Sequence, residues 1–457
     1  LFDADIIEGL VDVILEISEL PLLLRLMSVC PLPDLELEKL LTNLRRSILL
    51  NISSLEDAAV ELLRFQSALA LQCFTNEYIY GHTEEEEKIL KSLEASVEKH
   101  LENNDQPSPL VILALASYKS LKCYKWCQSL AFTDSIQEAF TRQVIELQKE
   151  NDVKSHLPIF KEITDNISSE VRAQYEESPY PRWVNLGLDQ KPISIINLVN
   201  GVNLKLRTYK VTHVERPEIL IAGCGTGQHS IGTAKRFKDS KVLAIDLSLS
   251  SLAYAKRKTE ELGIENIKYM QADILDLMEL NKQFNIIESI GVLHHMENPM
   301  AGWKVLTKCL KPGGIMKIGL YSELARQHIV KIRREIINAD IGSGDAEMRS
   351  FRDTIIKSNK DHYKQIIKSR DFYSLSTLRD LLFHVQEHRF TIPQIKACLS
   401  ELGLEFCGFE EPGIVSHFKQ ANKNKDDLYD LDKWQAYEEA NPRAFVGMYQ
   451  FWCQKVD

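Results

Sequence analysis

The residues with the clearest chemistry lie between Ile219 and Asp246. An apolar stretch, Ile219 to Ala222, runs into Gly223, Gly225 and Gly227, and a second apolar stretch closes on Asp246, 23 positions after Gly223. Glycines at a strand-to-helix turn let the backbone approach a ligand with no Cβ in the way. An acid at the end of the next strand accepts hydrogen bonds from ribose hydroxyls, so the pair points to a nucleoside cofactor in an open α/β sheet. A dinucleotide site prefers Gly-x-Gly-x-x-Gly, whose turn and helix N-terminus cradle a pyrophosphate. Here the third glycine falls one position early, and a second acid, Asp273, follows the next apolar run within Gln271-Ala272-Asp273-Ile274. A ribose acid, an acid near the adenine and no pyrophosphate cradle fit S-adenosylmethionine. His294 and His295 follow a further apolar run and Gly291. They are either groups near the reacting atoms or a helix-start feature.

The elements that must hold these residues alternate. Strands are expected over Glu218 to Ala222, Val242 to Asp246, Ile267 to Met270, Phe284 to Ile290, Ile315 to Tyr321, Leu404 to Glu410 and Phe445 to Lys455. Helices are expected from Gly227 to Phe237, Ser248 to Gly263, around Trp303 and Leu306, and Thr391 to Leu402. Such units give a parallel sheet with right-handed crossovers. Residues 323–390 interrupt the pattern as a charged, helical stretch with a hinge at Gly342-Ser343-Gly344. Their dense mixture of His, Glu, Arg and aromatics, Asp371 to Phe390, reads either as a functional lid or as a buried polar network. Residues 411–444 read as polar and irregular.

A length of 457 residues predicts two or three domains. The net charge of −10 argues against nucleic acid as the main partner. Nine cysteines, without Cys-x-x-Cys or Cys/His at zinc spacing, predict reduced thiols, no metal centre and a cytoplasmic location. The i, i+4 pair Cys123 and Cys127 reads as helix packing. With no run of about 18 apolar residues, no membrane insertion is expected. Ile6 to Leu26 carries Glu8, Asp12, Glu16 and Glu19, lacks the basic start of a signal peptide, and reads as one amphipathic helix. The chain begins at Leu1 rather than Met, which leaves its natural N-terminus open.

Residues 1–150 read as wholly helical, with Gly9 and Gly81 the only glycines before Gly187. Ala58 to Tyr80 and Thr83 to His100 are expected to pair as a helical hairpin, without the roughly 34-residue period of a repeat array. Within Glu176 to Trp183, Pro179 and Pro181 stiffen the backbone and disfavour a helix. Tyr180, Arg182 and Trp183 then sit on a rigid loop, either as a buried linker or as a cover for the cofactor or substrate cleft.

Gly-Cys-Gly-Thr-Gly-Gln at 223–228, Ala244-Ile245-Asp246, Gln271 to Ile274, Gly291 to His295 and Leu310-Lys311-Pro312-Gly313-Gly314 occur in the order that resembles the class I S-adenosylmethionine-dependent methyltransferases. The resemblance implies an α/β Rossmann-like seven-stranded methyltransferase core with an all-α N-terminal domain and an inserted helical segment. The expected divisions are a helical domain 1–165, a linker 166–215, the cofactor-binding core 216–322, a helical insertion 323–390 for a lid or dimerisation, and 391–457 completing the sheet. It also implies site roles. Gly223, Cys224, Gly225, Thr226, Gly227 and Gln228 would line the methionine and ribose end, with Cys224 a small filler rather than a nucleophile. Asp246 would hold the ribose and Leu247 would pack on the adenine. Ala272, Asp273 and Ile274 would face the adenine ring and its amine. Gly291 and Leu293 would floor the sulfonium. Two positions depart from the family. Ile221 stands where an acid often meets the cofactor's amino group, and Asn285 stands where Asp is common.

Methyl transfer is an in-line displacement, so the protein mainly aligns a nucleophile and frees its lone pair. A lysine acceptor lies about 3.4 pKa units above pH 7, a deficit of roughly 4–5 kcal/mol for the neutral amine. Desolvation lowers that pKa, and aromatic faces hold the methylated cation. Tyr180, Trp183, His294, His295 and Tyr321 are the candidate catalytic residues, with Tyr373 a further candidate wall. The whole arrangement is similar to rickettsial protein lysine methyltransferases that modify outer membrane protein B. That likeness implies an unfolded outer membrane protein as substrate and a homodimer. A small amine or hydroxyl as acceptor, or cofactor binding without turnover in a helical interaction protein, are the alternatives.

Overall fold

The computed structural model describes residues 4–55, 60–131, 133–188 and 191–456. The chain separates into two compact units. One comprises Leu1–Asn151, Arg182–Asn185 and Ile332–Phe383, and the other Asp152–Pro181, Leu186–Lys331 and His384–Asp457.

The second unit is built on a seven-stranded sheet: β1 (Glu218–Ala222), β2 (Lys241–Asp246), β3 (Ile267–Gln271), β4 (Phe284–Ile290), β5 (Leu310–Leu320), β6 (Leu404–Phe409) and β7 (Tyr449–Lys455). Their order is β3-β2-β1-β4-β5-β7-β6. β1 to β5 run parallel, whereas β7 lies antiparallel between β5 and β6. The expectation of a parallel sheet therefore holds for the nucleotide half and not for the last two strands. The chain order of the strands reverses direction between β1 and β4, and this switch point leaves a crevice at the carboxyl ends of the strands.

Helices cover both faces because both faces are apolar. One face packs Trp303, Leu306, Phe418 and Trp434 of the helices with strand residues such as Leu220, Ile287, Met316, Phe409 and Phe451. The other packs Ile195, Phe237 and Leu252 with strand residues such as Ile219, Ala244, Ile286 and Trp452. Residues 411–444, expected to be irregular, form helices Pro412–Ala421 and Leu431–Ala440 joined by a 3-10 turn. Their few apolar residues converge: Phe418 and Trp434 are fully buried and stacked, with ring centroids 3.7 Å apart. Strand β5 also begins earlier than expected, at Leu310, so the Lys311-Pro312-Gly313-Gly314 segment lies in the strand.

The other unit is helical. The single helix expected over Ile6 to Leu26 is two, Ala4–Ser18 and Pro21–Val29, because Pro21 cannot continue a helix but suits its first turn. The two helices expected to pair are Val60–Thr75 and Glu84–Glu102, the second opened by a reciprocal Thr83/Glu86 cap. Among the described residues they do not pack as a hairpin: Val60–Thr75 lies mainly against Pro21–Val29 and Pro109–Ala116, and Glu84–Glu102 against Leu35–Leu50 and Pro109–Ala116. The expected start of the first, Ala58, lies outside the described residues. Cys123 and Cys127 sit on 3-10 turns rather than one α-helix. Ile332–Phe383 joins this unit through Arg352, whose guanidinium makes paired bonds of 2.7 and 2.6 Å to Glu38, and through Arg349, which donates to the Tyr78 carbonyl at 2.9 Å. Among the described residues no helix is long and apolar enough to cross a membrane.

Candidate active site

The glycine turn is held from both sides. The Gly223 and Cys224 amides donate to the Ile245 carbonyl at 2.9 Å, and the Gly225 amide donates to Asp246 Oδ2 at 2.7 Å. Asp246 Oδ1 accepts from the Ser248 amide at 3.0 Å. Burial raises the Asp246 pKa, and the amide donors only partly oppose it. Gly225 adopts φ +52, and a Cβ there would come within 2.8 Å of the Tyr180 carbonyl. Gly227 adopts φ +88, and a Cβ there would lie 2.6 Å from that of Ala255. Positions 225 and 227 therefore admit only glycine, and the Thr226 hydroxyl between them donates to the Pro181 carbonyl.

Residues 166–181 strap the carboxyl ends of β2 and β3. The helix Asn166–Glu177 ends with Tyr175 accepting from Ser248 Oγ at 3.0 Å and Glu176 accepting from Ser250 Oγ at 2.6 Å. Glu176 also meets Lys154 at 2.6 Å, and although burial pushes its pKa up, these partners bring it below the ordinary value. Asp273, buried, accepts from the Leu275 amide at 2.9 Å. Burial raises its pKa despite a hydrogen bond from Ser168 on the strap. Ala272 and Ile274 are buried beside it, and Leu247 is half-buried. Gly223, Gly225, Asp246, Leu247 and Asp273 thus gather at one crevice. Gln228 points outward and is exposed.

Beyond β4, Val292 faces Gly223 and Leu293 is buried in the core. His294 is completely buried, and neither ring nitrogen has a hydrogen-bond partner. It stacks on Tyr321 with centroids 3.9 Å apart. Burial, reinforced by His295, Arg326, His384 and His388, pushes its pKa well below the ordinary imidazole value, so the ring is neutral. His295 Nδ1 bonds the Gln386 carbonyl at 2.6 Å, and its ring stacks on His384 at 3.7 Å. The Arg326 guanidinium lies 3.5 Å from the Tyr321 centroid and makes bonds of 3.2 and 2.7 Å to the buried Glu387. Tyr175 stacks at 6.4 Å on Tyr180 and contacts His384 Nε2 at 3.1 Å through its hydroxyl.

Trp183 and Tyr373 belong to the helical unit. Trp183 is buried there next to Arg182, which pairs with Glu77 at 3.2 Å. The Tyr373 hydroxyl donates to the Ile367 carbonyl at 3.0 Å. Sequence reading missed Glu288, Glu176 and the Arg326–Glu387 pair. The signal for the first was present, since Glu288 interrupts a buried apolar strand.

These groups suit a nucleoside with an amino-acid tail: acids after β2 and β3, and beside them, after β1, a turn whose glycines leave the backbone uncovered. Residues 219–314 match the Methyltransferase domain family. Over those residues the chain is similar to a methyltransferase domain, a likeness that supports S-adenosylmethionine as cofactor and S-adenosylhomocysteine as product. An uncharacterized protein of Synechococcus sp. is 27% identical over 309 residues, 62% of this chain and 70% of that protein. A ubiquinone biosynthesis O-methyltransferase of Coxiella burnetii is 31% identical over 149 residues, 33% of this chain and 60% of that enzyme. The structure of PKMT2 from Rickettsia typhi in complex with AdoHcy aligns over 60% of this chain and 54% of that one, at 18% identity and a TM-score of 0.45. The chain thus spans little more than half the length of these two.

Proposed function

We propose that the protein transfers the methyl group of S-adenosylmethionine to lysine side chains of a protein, an unfolded outer membrane polypeptide being the substrate class. The observation that carries this reading is His294: buried, neutral, unpartnered at both ring nitrogens and stacked on Tyr321. When bound, the cofactor supplies an electrophilic methyl group on a sulfonium. The acceptor must lose a proton, and the burial that keeps this imidazole neutral also favours the neutral amine beside it, from which a ring nitrogen can accept a hydrogen bond. An aromatic face beside it would stabilise the methylated ammonium by cation–π attraction. His295, fixed through the Gln386 carbonyl, holds this loop in place. The reading carries with it a cytoplasmic homodimer.

A second reading has a small phenol or hydroxyl as acceptor. It is favoured by the likeness to the ubiquinone biosynthesis O-methyltransferase and is equally served by a neutral base. Incubation with labelled S-adenosylmethionine, a purified unfolded outer membrane protein, and free amines and phenols separates the two. Label on protein lysines supports the first reading, and label only on phenols the second. Cofactor binding with no transfer to any acceptor overturns both.

A further inference from the structure

We propose that Glu288 of β4 is the anion that receives the ammonium group at the methionine end of S-adenosylmethionine, taking the place of an acid that β1 lacks. The proposal rests on the cofactor assignment above and not on the identity of the acceptor.

Ile221, two residues before Gly223, is an apolar residue at the end of β1. Its lateral partner in the parallel ladder is Glu288. Lateral partners in a ladder project from the same face of the sheet. A carboxylate on β4 at this level therefore occupies the neighbourhood that an acid at position 221 would occupy.

Burial is the second observation. Glu288 is 0% exposed in a strand whose other members include Phe284, Ile286, Ile287 and Ile290. A charge in such a place is costly unless its oxygens are matched. One oxygen has partners: Oε2 accepts from Thr233 Oγ1 at 2.7 Å and lies 2.6 Å from His229 Nε2. The other, Oε1, is buried and has no hydrogen-bond partner. The neighbouring cation does not complete it by a bond. Lys317, the lateral partner of Glu288 on β5, is held 2.6 Å from Glu410 Oε2.

The two groups that hold Oε2 supply the third observation. His229 is the second residue of the helix Gln228–Arg236, and Thr233 lies one turn further on. The carboxylate is thus tied to the first turns of the helix that the glycine loop feeds. Burial alone would raise the Glu288 pKa, but His229, Lys317 and Thr233 outweigh it and hold the carboxyl down to about 2. At neutral pH the group is an anion with one spare acceptor oxygen. An alkylammonium brings three N–H donors and a compensating charge.

The test compares two ligands with the same nucleoside. S-adenosylhomocysteine carries the amino-acid end, and 5′-methylthioadenosine lacks it. Calorimetric titration of Glu288→Gln should show S-adenosylhomocysteine weakened about tenfold or more, the effect of losing a hydrogen bond to a charged group. The affinity for 5′-methylthioadenosine should stay within about twofold of wild type on the same basis. Adding Ile221→Asp to that variant should recover part of the loss. Equal weakening of both ligands, or of neither, overturns the proposal, since a merely structural pin under the helix would act on both. Wild-type protein gives a check that needs no variant: desamino-S-adenosylhomocysteine should bind less tightly than S-adenosylhomocysteine, and equal binding overturns the proposal. Failure of wild type to bind any of the three would instead overturn the cofactor assignment.

Discussion

The His294 imidazole lies face to face with Tyr321, ring centroids 3.9 Å apart and 30° from parallel, with both of its nitrogens buried and unpartnered. Polar groups are rarely left so, because an unsatisfied buried donor or acceptor costs about 1–3 kcal/mol. A residue retained at that cost is a candidate for work that the fold alone does not need.

His294→Phe keeps the stack and removes the ring nitrogens. Turnover should fall about 10²–10³-fold, with S-adenosylhomocysteine affinity unchanged by calorimetry. Unchanged turnover would make the ring a packing element.

The depressed His294 pKa also has a stability consequence. Below an ordinary value of 6.5 the unfolded chain binds a proton that the folded chain refuses. Stability therefore falls as pH drops below about 6.5, and His294→Phe should flatten that part of a denaturation series between pH 7 and 5. A wild-type curve already flat there would count against the buried neutral ring.

Asp246→Ala removes the acceptor for the Gly225 and Ser248 amides and the expected ribose partner. Cofactor affinity should fall by a factor of about 30 or more, read by calorimetry, while circular dichroism stays native. Undiminished binding would reduce Asp246 to a turn cap.

Arg326 and Glu387 are 4% and 1% exposed as side chains and bond through two oxygens. Removing Arg326 strips two bonds from a buried carboxylate that Arg389 Nη1 still reaches at 3.4 Å, so Arg326→Met should cost about 1.5–3 kcal/mol in chemical denaturation. Arg326→Met with Glu387→Leu should recover most of that. A single variant as stable as wild type would show that solvent reaches the pair.

In the helical unit, Arg352 ties Ile332–Phe383 to Glu38. Arg352→Leu should expose Asp345–Lys357 to limited proteolysis several-fold faster, with the sheet unit's fragments unaffected. An unchanged digestion pattern would mean that buried Met348, Phe351 and Ile355 suffice.

Much of the sheet was legible because it depends on local pattern. β1 and β4 match their expected bounds, and Gly223, Gly225, Gly227, Asp246 and Asp273 follow from strand–turn chemistry in short windows. The helices at 412–421 and 431–440 were not legible: their polar surfaces mask a few apolar residues that make sense only against β6 and β7.

The sequence alone determined the α/β order, the Cβ-free turn and the two acids, since each is set by neighbours within a few residues. Only the tertiary structure decided that Ile332–Phe383 joins the N-terminal helices, that β7 runs antiparallel, and that Glu288 stands beside Ile221. Those facts depend on pairings between strands and helices far apart in the chain. The same holds for His294: its type and position are written in the chain, but its neutral, unpartnered state comes from the burial that Tyr321 and its neighbours impose.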